Sequence, residues 1–217
     1  MQRLVLLGAF ALLAFGSFMA WRASDRSPVE TISNSLAVPP EAAPLCPWRE
    51  PETDMKAFFP AATDHRSELR ILSGLRAELA QQLHRQPTGD DNALRLNRIY
   101  RGDTRLGAIL TRRVKGECGA IELVVAINND GAVQGLRLQR LREPESTAAA
   151  LEDPHWLAAF AGKRASALWQ MGIDLPLVCA PARPSATAII DGVRTVLILA
   201  DTAEHASKAR LAAVHHH

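Results

Sequence analysis

The chain has 217 residues, 47% of them hydrophobic, which is enough for one folded domain with a substantial core but not for two full ones. Its formal charge of +2, from 25 basic and 23 acidic residues, excludes a sequence-wide electrostatic attraction to nucleic acid or to an anionic membrane surface. Cys46, Cys118 and Cys179 are the three cysteines. They are too few for a disulfide framework, lack the C-x-x-C spacing of a structural zinc site or redox motif, and allow at most one internal disulfide.

Residues 4–21, LVLLGAFALLAFGSFMAW, hold no charge and are followed by Arg22, Asp25 and Arg26. That length crosses the hydrocarbon of a bilayer as a helix. A cleaved signal would end in small residues at alternate positions, and the sequence around Met19, Trp21 and Ala23 offers no good pair. Residues 1–23 are therefore expected to be a retained single-pass transmembrane anchor. Cys46 lies far beyond the apolar run, which argues against a lipid-anchored cysteine.

Residues 24–60 carry Pro28, Pro39, Pro40, Pro44, Pro47, Pro51 and Pro60. Proline removes backbone donors and fixes its own torsion, so this stretch reads as an extended tether. A domain is expected over 61–210, with 211–217 as a tail ending in His215, His216 and His217. Leu69, Leu72, Leu75, Leu79 and Leu83 recur every three or four residues among polar ones. They predict an amphipathic helix that stops near Pro87-Thr88-Gly89.

The period then changes. Segments 94–100, 105–114, 120–128 and 132–141 are rich in β-branched and aliphatic residues and are separated by turn-forming pairs, the strongest being Asp130-Gly131. They predict an antiparallel meander. Asp153-Pro154 predicts an N-cap and first helical position, with Trp156, Leu157 and Phe160 as the apolar stripe. A loop over 172–184 leads to a final helix over roughly 186–206. The fold class expected is α+β: an antiparallel β-meander packed with helices, preceded by one transmembrane helix and a proline-rich tether.

Few residues carry a chemical signature of their own. His65, His84, His155 and His205 share no i,i+4 spacing and no nearby run of carboxylates or thiols, and read as solvated surface residues. No G-x-S-x-G turn surrounds any serine. Arg112, Arg113 and Lys115 on one expected strand, and Arg137, Arg140 and Arg142 on or beside another, read more simply as a solvated sheet face than as an anion site.

The order of the pieces says more. The run 119–136, GAIELVVAINNDGAVQGL, resembles the hairpin of the FMN-binding domain of the G subunit of the Rnf electron-transport complex and the C subunit of the sodium-translocating NADH:quinone reductase. The segment 156–163, WLAAFAGK, is similar to the helix that follows it in that family, Phe58-Phe59-Pro60 resembles the domain entry, and Ser185-Ala186-Thr187 stands where the family carries S-G-A-T. The resemblance implies an FMN held through a phosphoester on Thr187, with Ser185 and Ala186 beside it, in an electron-transfer subunit at the bacterial inner membrane facing the periplasm. Integral-membrane redox or assembly subunits would be its partners, with no role for nucleic acid.

A phosphate at the first turn of the final helix would meet unpaired backbone donors. The sequence also departs from the family: Pro184-Ser185 replace Ser-Gly, Pro181 replaces an acidic residue, and Arg142-Glu143-Pro144-Glu145-Ser146-Thr147 replaces E-T-P-G-L-G. The alternative is a flavin-free member acting as a scaffold or interaction subunit of a membrane assembly. In either case a Cys118–Cys179 disulfide is the pairing expected in an oxidising compartment, against two small buried hydrophobes.

Overall fold

The computed structural model describes residues 51–214. The expected anchor and most of the expected tether lie outside them. Among the described residues no helix is long and apolar enough to cross a membrane.

The chain order is α1 (Glu52–Phe58), β1 (Asp64–Ile71), α2 (Arg76–Leu83), β2 (Ala93–Arg101), β3 (Thr104–Lys115), β4 (Ala120–Asn128), β5 (Val133–Arg140), α3 (Glu145–Leu151), α4 (Pro154–Ala158) and α5 (Arg183–Val214). The five strands form one antiparallel sheet in sequential order. The expected α+β class and the four expected strands are present, with a fifth strand added at the edge.

That fifth strand corrects the reading of the leucine repeat from Leu69 to Leu83 as a single helix. Residues 64–71 pair with β2 from Asp64↔Tyr100 to Ile71↔Ala93, and only 76–83 is α-helical, ending at His84 in the left-handed region. Leu72, Leu79 and Leu83 are buried, but Leu69 is 55% exposed. The leucine spacing therefore spans two elements and does not mark one continuous face.

Side chains alternate across a strand, so the sheet has two faces to cover. β4 is buried along almost its whole length, on both. Leu96, Leu110, Leu123, Val125 and Leu136 point to the main core, where α5 contributes Ile189, Val193, Val196 and Leu197. Helix and sheet meet closely at Gly192, where an added Cβ would lie 2.5 Å from Val114 Cγ1 and 2.8 Å from Leu123 Cδ1. Trp156 and Phe160 close one end of this core as an edge-to-face pair at 5.0 Å, a favoured aromatic geometry.

The other face is covered by α1. Met55 and Phe59 pack on Ile99, Ile109, Val124 and Ala126, and buried Asp54 accepts two hydrogen bonds from Arg137, at 2.6 and 2.7 Å. Residues expected at the end of an extended tether thus form a helix packed on the domain. Pro51 occupies its N-cap, where a missing N–H costs no intrahelical bond.

The remaining turns follow their residue chemistry. Gly131 takes φ +75° between β4 and β5, and Asn128 Oδ1 accepts from the amides of Asp130 and Ala132, each at 3.0 Å. Asp153 caps α4 as expected, accepting from the amides of His155 at 2.8 Å and Trp156 at 3.0 Å.

Candidate functional site

α5 begins at Arg183, not at Ala186. The single turn Ala180–Ala182 feeds directly into it, and Pro184 fits the second position because the first-turn amides have no intrahelical acceptor. Thr187 is therefore the fifth helical residue, where a helix directs the amide to the carbonyl four residues back. It is exposed, and its hydroxyl donates to the Arg183 carbonyl at 2.9 Å. Ala186 is fully buried in the core.

Ser185 is fully buried and acts as a clamp. Its Oγ accepts from the Glu117 amide at 2.8 Å and donates to Glu143 Oε1 at 2.8 Å. Glu143 also accepts weakly from the Cys118 amide, at 3.3 Å to each carboxylate oxygen. Three separate segments meet here: the β3–β4 loop, the strand exit before α3, and the first turn of α5. Gly116 lies against them so closely that a Cβ would stand 2.3 Å from Glu143 Oε1 and 3.0 Å from Ser185 Oγ.

This arrangement does not make a cradle for a phosphate. The backbone at 185 carries a side chain where the resemblance calls for glycine, and that side chain is bonded inward. Pro184 has no amide to offer, and the Thr187 amide is directed to an intrahelical carbonyl. One turn on, the exposed Asp191 adds a negative charge to the same face of the helix. The stretch compared with E-T-P-G-L-G leads into α3, whose Thr147 and Leu151 are buried.

Cys118 and Cys179 are free thiols, and both are exposed. The expected bridge is not formed, and neither residue is a buried hydrophobe. Desolvation in the loop, together with the Glu143 and Glu117 carboxylates, pushes the Cys118 thiol upward. A raised pKa disfavours the thiolate, so Cys118 lacks the electropositive setting of a reactive cysteine.

The arginines singled out in the sequence are largely committed to neighbouring acids. Arg112 bonds Asp91 at 2.9 Å, Arg113 bonds Glu122 at 2.7 Å and Arg137 bonds Asp54. Asp91, fully buried, also accepts from Arg85 at 2.8 Å and from the Thr88 amide at 2.8 Å. Burial alone would raise its pKa, but these hydrogen bonds and the Arg112 charge hold it far below the usual carboxylate range. Arg112 and Arg113, neighbours on β3, project to opposite faces of the sheet, so these arginines form separate ion pairs with nearby acids rather than one cationic face. No protein-family model and no curated protein matches the chain.

Proposed function

We propose that this protein is a membrane-anchored, extracytoplasmic domain related to the FMN-binding domains that has dispensed with the flavin and serves as a scaffold or interaction subunit of a membrane assembly. One observation carries this reading: Ser185, at a glycine position of the resembled motif, is buried and ties Glu117 to Glu143. A side chain that holds three segments together has replaced an open stretch of backbone, and the second motif position has become the approach to α3. Both changes exchange cofactor contact for internal support.

The other reading, an electron-transfer subunit with FMN on Thr187, is favoured by the exposure of that residue. Its hydroxyl is reachable, and a bond there would displace only the hydrogen bond to Arg183. The test is the full chain extracted in mild detergent from its native membrane. A colourless assembly larger than the chain alone is expected. A chain that migrates alone contradicts the scaffold role, and a flavin absorbance band that travels with the chain contradicts the loss of cofactor.

A further inference from the structure

β1 and β5 are the two edges of the sheet. The start of β5 is tied on its outer side to the chain after α4: the Val133 amide donates to the Lys163 carbonyl and the Gly162 amide to the Val133 carbonyl, both at 2.8 Å. β1 has no such cover. Its register with β2 runs unbroken from Asp64↔Tyr100 to Ile71↔Ala93, and the Leu72 amide continues it by donating to the Asn92 carbonyl at 2.7 Å. Bonds to one neighbour fall on alternate residues of an antiparallel strand, so the even-numbered residues bond β2. The amides and carbonyls of His65, Ser67, Leu69 and Ile71 therefore point outward. Among the described residues no hydrogen bond reaches them.

An open edge of this kind is a template for another strand, and native edges are commonly blunted by shortness, proline, bulges or charge. β1 spans eight residues, longer than the usual about 5–6, and has neither proline nor bulge. Its charges alternate in sign along one face: Asp64, Arg66, Glu68 and Arg70. That face is the α5 side, because Arg98, opposite Arg66, bonds Glu204 of α5 at 2.6 Å. Such a pattern does not repel a copy of itself.

We propose that β1 pairs with β1 of a second copy of this chain, antiparallel about a twofold axis at Ser67, so that one sheet continues across two subunits. In that register Asp64 stands opposite Arg70 and Arg66 opposite Glu68, and each pair occurs twice. Opposite charges directly across from one another favour strand pairing, and like charges disfavour it. Ser67 meets Ser67 and His65 meets Leu69, so the outward backbone groups of the two copies face each other. Moving the axis to Glu68 would set Glu68 against itself and Arg66 against Arg70. Moving it to Leu69 would set Arg66 and Asp64 against Leu72 and Gly74, beyond β1.

The charged groups are suitably placed. Arg66 and Asp64 are more than half exposed and 3.9 Å apart within the strand, a weak pairing that leaves both available. Glu68 is held in position by Arg98 at 2.7 Å. On the other face Leu69, 55% exposed, gains cover from His65. Pairing uses the same edge of both copies, so assembly closes at two. It needs neither flavin nor another subunit, and so goes beyond the scaffold reading without resting on it.

Sedimentation equilibrium of the purified full chain in density-matched detergent is expected to give twice the mass of one chain. The exchange Asp64→Arg with Arg66→Asp keeps the net charge and the opposite signs within the strand, but sets like charges against Arg70 and Glu68 of the second copy. It should return the mass to that of one chain with an unchanged circular dichroism spectrum. Ser67→Pro removes an outward amide that the β1–β2 ladder does not use, a position where edge strands accept proline, and provides the same test if the exchange does not fold. Cross-linking reads the register in a background of Cys46→Ser, Cys118→Ser and Cys179→Ser. Mild oxidation should link Ser67→Cys between copies, since directly opposed residues of a hydrogen-bonded pair have Cα atoms about 5.5 Å apart, within disulfide reach. Leu69→Cys, displaced from its twin by four residues or about 13 Å along the strand, should stay unlinked. A single-chain mass for the wild type, a dimer indifferent to both edge variants, or linkage at 69 and not at 67 overturns the proposal. A native complex holding one copy of this chain among other subunits would also overturn it, while leaving the scaffold reading in place.

Discussion

Replacing Ser185 with alanine removes one hydroxyl from a fully buried position and breaks two hydrogen bonds at once. The bond to the Glu143 carboxylate, at 2.8 Å, belongs to the charge-assisted class that contributes about 1.5–3 kcal/mol. The Glu117 amide, which donates at 2.8 Å, loses an acceptor in a partly buried loop, at a further cost of about 1 kcal/mol. Alanine's better helix propensity returns about 0.5 kcal/mol. The net expectation is a loss of about 2–3.5 kcal/mol, read as a lower denaturant midpoint at unchanged slope. A double-mutant cycle with Glu143→Ala should give a coupling of at least about 1 kcal/mol. If Ser185→Ala stays within about 0.5 kcal/mol of wild type, the range of ordinary surface substitutions, or if the two substitutions are additive, the clamp does not hold the three segments together.

Three other outcomes follow from the packing. Gly192→Ala should lower stability, because overpacking against Val114 and Leu123, which a Cβ would meet at 2.5 and 2.8 Å, costs up to about 3 kcal/mol against a propensity gain of about 1 kcal/mol; thermal unfolding decides the sign. Phe59→Ala should cost about 3–5 kcal/mol and speed amide exchange across α1, whereas a mobile tether would leave both unchanged. As the pH falls below the unfolded carboxylate value of about 3.9, stability should decline, since Asp91 has a depressed folded pKa and its contribution, present above that value, is lost as the folded value is approached. In Asp91→Asn this part of the decline, followed by denaturant titration at several pH values, should be reduced.

The meander was legible because its signals are local. The 120–128 run is apolar enough for a strand buried on both faces, and Asp130-Gly131 encodes its own turn. β1 is hidden because an edge strand need not bury an alternating set: Leu69 and Ile71 are exposed, and the chance spacing of Leu69 from Leu72 and Leu75 imitates a helix. The proline content around α1 suggested a tether, although Pro51 and Pro60 bracket a helix that could have been read as bounded on both sides. α3 is masked because its first residues coincide with the stretch that resembles E-T-P-G-L-G, while S-T-A-A-A-L is itself a competent helix former. The Ser185 clamp could not be read from spacing, since its partners lie 68 and 42 residues away and are brought together only by the sheet and the start of α5.

The most direct test of flavin loss is the intact mass of the denatured full chain, produced in a host that contains the flavin-attaching enzyme and displayed beside its Thr187→Ala variant. Loss of the cofactor predicts an unmodified wild-type mass and no flavin fluorescence in a denaturing gel. A wild-type chain heavier by one FMN less water, with fluorescence that disappears in Thr187→Ala, would contradict it and restore the electron-transfer reading.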